Sequence, residues 1–374
     1  MTKLAIFYQQ IVPLIPKLKR NYFNPQDYFD NIHLFTFDRE LSEEQRQAIM
    51  PSLGKAKVTF HPIGGFNLHN IYFRRRQIAE KIGKLKPDAI RAYSSLTDGY
   101  LATYSSMKAG IPAIISVHGD RDRDNRHNIL KNRRYCHYLA SLLHRATLEK
   151  PSLKRATHII AVYEFAAHYA RRYSNSPVTV IYNKVDTRVF CPGSKDKSQP
   201  FTIINVGRFI PEKNQEVLIS AMQHIDGKLV LVGDGLSLGD MKNLARELGV
   251  SEKIAWHSCL KNTELVEYYR DAHAYATAIN YGGIAIPVME AMACGLPIVQ
   301  SPPPFEKVPE FIDDAWERVE PTPEGFAKGI NRLKDNPDSR ERMGIFARQK
   351  MLNYNSEVME KLEADVYRKA IENG

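Results

Sequence analysis

YGGIAIPVMEAMACGLPIVQS, running from Tyr281 to Ser301, is the stretch on which the reading of the fold turns. Two glycines, Gly282 and Gly283, let a backbone approach a ligand with no Cβ in the way. Pro287 suits the first turn of a helix, where its missing N–H leaves nothing unpaired. The N–H groups just before it have no partner inside the helix, and an anion such as a phosphate is what they favour. Glu290 falls about one turn further on, where its carboxylate can accept hydrogen bonds from a ribose. The same residues also fit a core helix with Glu290 facing solvent, since glycine-rich patterns recur without a phosphate.

At 374 residues the chain exceeds what one hydrophobic core supports, so two domains are expected. Its 43% hydrophobic and 25% charged content is that of a globular chain rather than a disordered one. No apolar run reaches the roughly 18 residues needed to span a bilayer. The first residues, MTKLAIFYQQIVPLIPKLKR, lack the charged start and small-residue cleavage site of a signal peptide and read as a strand followed by a loop. Cys136, Cys191, Cys259 and Cys294 are scattered, with no CxxC pair, and imply a reduced, cytosolic, zinc-free protein.

Charge is unevenly shared. Residues 1–200 hold 32 Lys+Arg against 16 Asp+Glu, whereas residues 201–374 hold 20 against 26. The basic clusters are Lys17-Lys19-Arg20, Arg74-Arg75-Arg76, Arg121/Arg123/Arg126 and Lys131/Arg133/Arg134. The first half is therefore expected to face something anionic: lipid, a phosphorylated acceptor or nucleic acid. A solvated basic face is the alternative for any single cluster. Nucleic acid is disfavoured, because the arginines lack interleaved aromatics.

Strand-like runs at Leu4–Tyr8, His33–Phe37, Val58–His61, Ala89–Ala92, Ala113–His118 and His158–Val162 alternate with helical patterns at Ile71–Leu85, Asp98–Ala109 and Glu164–Tyr173. That alternation predicts a parallel sheet wrapped by helices. The polar segment DTRVFCPGSKDKSQP then reads as a linker, and the alternation restarts at Phe201. The fold class is α/β, with two Rossmann-like doubly wound domains at 1–185 and 201–355 joined by a linker at 186–200. A helix within 356–374 is read as packing back toward the first domain. Ligands are expected at the carboxyl ends of the strands, in a cleft where the domains face each other.

In NVGRFIPEKN (205–214) a strand ends at Gly207, Arg208 follows at its carboxyl end, and Lys213 stands before the next helix. Arg208, by its planar fork, and Lys213, as a point charge, can reach one diphosphate. A surface pairing of Arg208 with Glu212 is the alternative. His118 ends an apolar strand ahead of a charged loop, where it either donates to a backbone carbonyl or reaches a ligand. Asp120 and Asp122 read as salt-bridge partners of Arg121 and Arg123 rather than general bases.

The chain resembles the retaining GT-B glycosyltransferases of family four, through VIYNKVD (180–186), NVGRFIPEKN (205–214), LVLVGDG (229–235) and the 282–301 segment, and more loosely through GIPAIISVHG (110–119) and THIIAVYEFAA (157–167). The resemblance implies that Arg208 and Lys213 neutralise the donor diphosphate and that Glu290 holds the nucleotide ribose. It implies that His118 reaches the transferred sugar, that Gly207 belongs to the donor-binding set, that backbone from Ile284 through Ala285 to Ile286 contacts the phosphates, and that the base stacks along Trp256–Leu260. The family's first Glu of E-x7-E falls at Gly282, so the sugar must be held differently there, and the glycine-rich loop after the first strand is replaced by QQIVPLIP.

The expected activity is transfer of a sugar, with retention, from a UDP- or GDP-linked donor to a glycan or lipid-linked acceptor of cell-surface polysaccharide or lipopolysaccharide biosynthesis. No cofactor or metal is expected. Front-face attack is expected, because no carboxylate is placed as a covalent nucleophile. The expected location is cytoplasmic, on the inner face of an anionic membrane. The alternatives are a sugar-nucleotide 2-epimerase, or a non-catalytic sugar-nucleotide sensor or scaffold at the membrane.

Overall fold

The computed structural model describes residues 1–9, 11, 18, 20–38, 40–65, 68–122, 135–193, 200–258, 260–279, 284–301, 310 and 314–373. It divides into two compact units, Met1–Tyr182 with Met359–Gly374, and Asn183–Val358.

The first unit is built on strands β1 (Lys3–Tyr8), β2 (Asn31–Thr36), β3 (Lys57–Pro62), β4 (Ala89–Ala92), β5 (Ala113–Val117), β6 (His158–Ala161) and β7 (Val178–Val180). Their order across the sheet is β3-β2-β1-β4-β5-β6-β7, and every pairing is parallel. Between them run α1 (Glu43–Ile49), α2 (Leu68–Leu85), α3 (Thr97–Ala109), α4 (Tyr135–His144), α5 (Lys150–Arg155) and α6 (Glu164–Tyr173). Leu4, Ala5, Ile6 and Phe7 are all buried, as a strand covered on both faces requires.

The second unit repeats the plan with β8 (Thr202–Val206), β9 (Lys228–Val232), β10 (Ile254–His257), β11 (Ala274–Thr277), β12 (Ile298–Gln300) and β13 (Trp316–Arg318), in the order β10-β9-β8-β11-β12-β13. Its helices are α7 (Gln215–Ala221), α8 (Leu238–Glu247), α9 (Asn262–Asp271), α10 (Ile286–Ala293), α11 (Pro323–Asp335) and α12 (Pro337–Leu352). The chain reverses its march across this sheet between β8 and β11, the switch point at which such sheets bind ligands.

Residues 186–193, read from their polarity as linker, are packed onto the second unit. Arg348 on α12 donates to the carbonyls of Thr187 (3.0 Å), Phe190 (2.9 Å) and Ala293 (2.7 Å). The last helix, α13 (Ser356–Glu372), gives Met359 onward to the first unit. There Glu363 meets Arg91 on β4 at 3.4 Å, both side chains being almost fully buried, and Tyr367 packs edge-on against Phe29. Arg91 also donates to Ser116 Oγ at 2.8 Å and lies 4.2 Å from the Tyr93 ring centre.

Glu363→Ala strands the Arg91 guanidinium in the core and should destabilise the first unit by about 3 kcal/mol, the scale of an orphaned buried charge. Glu357→Ala, which removes the exposed partner of Arg188, should change stability by less than about 1 kcal/mol. Urea unfolding of the two variants beside the parent reads both values, and equal shifts would refute the assignment.

Candidate donor site

The site is assembled by backbone before any side chain reaches it. Gly207 N–H donates to Val232 O at 2.9 Å and Phe209 N–H to Asp234 O at 2.9 Å, so the chain leaving β8 runs against the VGDG turn after β9. A Cβ on Gly233 would stand 2.0 Å from Gly207 O, and one on Gly235 2.3 Å from Phe209 O. Both glycines also hold positive φ, +150° and +157°. Only glycine fits either place. The turn Pro211–Lys213 follows, then Asn214 in the left-handed conformation (φ 54°), and then α7. Gln215 at the head of α7 donates to Arg208 O at 3.0 Å and pins the loop from the other side.

The result is a cavity of about 180 Å³ lined by Gly207, Arg208, Lys213, Ala285 and Pro287, together with Asn205, Val206, Gln215, Tyr275, Thr277 and Ile279. It lies at the carboxyl ends of β8 and β11, at the switch point. Ala285 is the extended N-cap of α10 and Pro287 sits in its first turn, so the positive end of that helix borders the cavity. Arg208 is exposed and Lys213 half-buried, and among the described residues neither forms an ion pair with a carboxylate. Burial, and then the neighbouring Arg208 charge, lower the Lys213 pKa. Two like charges line one cavity, an arrangement that an anion relieves.

Other expected residues lie elsewhere. Glu290 is buried, and the Tyr269 hydroxyl stands 3.2 Å from its Oε2 and 3.3 Å from Pro287 O. Burial and the adjacent Glu290 hold Tyr269 well above its ordinary pKa, so the phenol stays protonated and can donate. Trp256 leans on Phe209 with ring centres 5.9 Å apart, next to the cavity loop but not in the cavity lining. Leu260 is half-buried, Ile284 buried and Ile286 exposed, and none of the three lines the cavity. Gly282 and Gly283 lie outside the described residues. Asn205, Gln215, Tyr275 and Thr277 were not anticipated; the sequence signal for them is their place at the ends of strands or the start of the helix that flank the switch point.

His118 belongs to the first unit. Its Nε2 lies 2.8 Å from Tyr93 O, which makes that nitrogen the protonated one, and the Tyr163 hydroxyl donates to the His118 carbonyl. Desolvation by the surrounding protein lowers the ring's pKa, against the hydrogen bond to Tyr93 O and with Arg91 and Arg121 adding to the effect. The imidazole is therefore neutral, with Nδ1 as its acceptor.

Asp120 and Asp122 are ion-paired as expected, and their partners among the described residues include Arg145 and Arg172. Asp120 meets Arg172 at 2.9 Å; Asp122 meets Arg145, Arg172 (3.3 Å) and the Tyr173 hydroxyl (2.6 Å). Arg121 pairs instead with buried Glu149 at 3.3 Å, and Arg123 is outside the described residues. Of the arginine triplet on α2, Arg74 donates to Ile63 O and Arg75 to the Tyr100 hydroxyl, while Arg76 is exposed. Part of the basic surplus thus serves the first unit's own structure. Among the described residues no group of three or more His, Cys, Asp or Glu side chains could hold a metal ion, and no helix is long and apolar enough to cross a membrane.

Two family models share the chain between them: Glycosyltransferase Family 4 matches residues 30–189, and Glycosyl transferases group 1 matches residues 192–350. The chain belongs to the family-four, group 1 glycosyltransferases. D-inositol 3-phosphate glycosyltransferase of Mycolicibacterium smegmatis is 30% identical over 172 residues, which are 41% of this chain and 40% of that protein. Among solved structures, sucrose-phosphate synthase from Thermosynechococcus elongatus superposes with a TM-score of 0.74 at 15% identity, over 100% of both chains. Anabaena HepE in complex with UDP superposes with a TM-score of 0.72 at 14% identity, over 99% of this chain and 100% of that one. These likenesses show the fold, two Rossmann-like parallel-sheet domains of the GT-B class.

Lys213→Met should weaken UDP binding by about tenfold or more, as loss of a charge-assisted contact does. It should also leave the empty protein slightly more stable, because Lys213 carries its charge at a cost that the ligand removes. A depressed lysine pKa penalises the folded state below that pKa, so the gain should shrink as pH rises through it. Calorimetry with UDP and thermal unfolding across pH measure the two effects; unchanged affinity would remove Lys213 from the site.

Proposed function

We propose that this glycosyltransferase transfers a sugar from a UDP- or GDP-linked donor to a glycan or lipid-linked acceptor of the cell surface, with the anomeric configuration retained and with no cofactor or metal. The observation that carries this reading is the cavity lined by Arg208, Lys213 and the start of α10, where among the described residues neither cation is ion-paired to a carboxylate. A nucleoside diphosphate supplies the compensating negative charge. Family membership supports the reaction class, and the UDP held by HepE and the phosphorylated substrate in the mycobacterial relative's name agree with it.

Bond breaking at the anomeric carbon places negative charge on the departing phosphate. Arg208 and Lys213, carried on a loop whose backbone the glycine contacts hold in place, stabilise that charge. Retention then follows front-face attack, in which the acceptor hydroxyl passes its proton to the leaving phosphate oxygen. His118 is proposed to accept a hydrogen bond at Nδ1 from a sugar hydroxyl. Arg208→Ala should lower kcat by about a hundredfold or more, as removal of one preorganised donor does. Turnover of a UDP- or GDP-sugar panel, with and without acceptor, is the assay. Near-normal turnover in the variant would exclude this role, and nucleotide binding without any turnover would favour a sensor.

An anionic membrane surface is proposed as the place of action, with the basic first unit toward it. Exposed Phe73 and Arg76 on α2 fit such a face. Binding to anionic vesicles should fall steeply as salt rises through physiological strength, where charges are screened beyond roughly 8 Å. Cosedimentation indifferent to lipid charge and salt would refute it.

A further inference from the structure

Cys191 and Cys294 are far apart in sequence but neighbours in the second unit. One nitrogen of Arg348, Nη1, donates both to Phe190 O (2.9 Å) and to Ala293 O (2.7 Å), which joins the residues just before the two cysteines. Just after them, Pro192 Cγ stands 3.3 Å from where a Cβ on Gly295 would lie. The two segments therefore run side by side, with a cysteine at the matching position of each.

A third residue addresses both sulfurs. Arg270 on α9 donates through Nε to Cys191 O and through Nη2 to Cys191 Sγ, each at 3.0 Å, and its remaining Nη1 is held by Glu267 at 2.6 Å. Burial pushes the Cys294 thiol up to about 12, against which the Arg270 charge acts and to which the Cys191 sulfur adds. Cys191 is partly open to solvent, whereas Cys294 is buried at the C-cap of α10. An accessible sulfur with a cation donating to it, beside a buried protonated thiol, is the arrangement of a peroxide-reactive cysteine and its resolving partner.

We propose that Cys191 and Cys294 form a redox-responsive dithiol that closes to a disulfide in the presence of a hydroperoxide. The Cys191 sulfur attacks the peroxide, the O–O bond breaks, the alcohol or water leaves, and the sulfur is oxidised by two electrons to a sulfenic acid. The Cys294 sulfur then displaces the sulfenic oxygen, which departs as water with the Cys294 proton, and the S–S bond forms. Arg270 promotes the first step by stabilising negative charge on sulfur. The bond ties the last turn of α10, whose first turn borders the cation cavity, to the segment that enters the second unit. This inference does not depend on the identity of the donor.

The test is hydrogen peroxide added to the full chain, followed by alkylation and peptide mapping, with circular dichroism to verify folding. The expected result is a Cys191–Cys294 crosslink reversed by dithiothreitol, with Cys136 and Cys259 still alkylated. In Cys294→Ser or Cys294→Ala, dimedone should label Cys191. Arg270→Gln should slow closure by about fivefold or more, as loss of a cation beside a reactive sulfur does, while Glu267→Gln should not. Both thiols remaining alkylatable in folded protein, pairing with Cys136 or Cys259, dimedone on Cys294 in Cys191→Ser alone, or an unchanged rate in Arg270→Gln would overturn the proposal.

Discussion

Backbone lies on backbone at the heart of the donor unit, and side chains follow from it. The carbonyls of Gly207 and Phe209 occupy the space that Cβ atoms would need at Gly233 and Gly235. With any other residue at those two places the loop after β8 would be pushed off the loop after β9, and Arg208, one residue past Gly207, would move with it. A cation aimed at a diphosphate has to be placed to within a fraction of an ångström for its charge to act in the transition state. The glycines of LVLVGDG secure that placement, although neither lines the cavity.

The same economy appears in the charges. Among the described residues, part of the basic surplus spread over 52 Lys and Arg residues is taken up by carboxylates of the fold itself. In the first unit Asp120, Asp122 and Glu149 take up Arg121, Arg145 and Arg172. In the donor cavity Arg208 and Lys213 are left facing each other. The contrast separates architecture from function more sharply than charge counting does, because a partly buried cation beside a second cation is a costly arrangement that a bound anion compensates.

Much of this was legible in the sequence. The strand Ala89–Ala92 and the helix Glu164–Tyr173 fall where the pattern puts them, and Pro287 marks the head of α10 as its chemistry requires. Hydrophobic alternation reports local burial, and burial in a parallel sheet is what formed these elements. What stayed hidden was set by distant partners. The short strands Val178–Val180 and Trp316–Arg318 each pair along one side only, and their sequences are too brief to show a period. The turn of Glu290 toward Tyr269, the ion pairs of Asp120 and Asp122 with Arg172, and the approach of the Cys191 segment to the Cys294 segment all join stretches whose separation no spacing rule spans.

The buried contact of Arg91 with Glu363 bears on the order in which the chain can fold. Synthesis delivers all seven strands of the first sheet long before Glu363 leaves the ribosome. Until then the Arg91 guanidinium has to stay hydrated, which leaves the middle of the sheet at β4 open to water. The second unit, by contrast, is a single uninterrupted run of chain and can close as soon as residue 358 has emerged. The domain made first is thus the one completed last, and during translation its unfinished sheet is the surface most in need of protection from premature association.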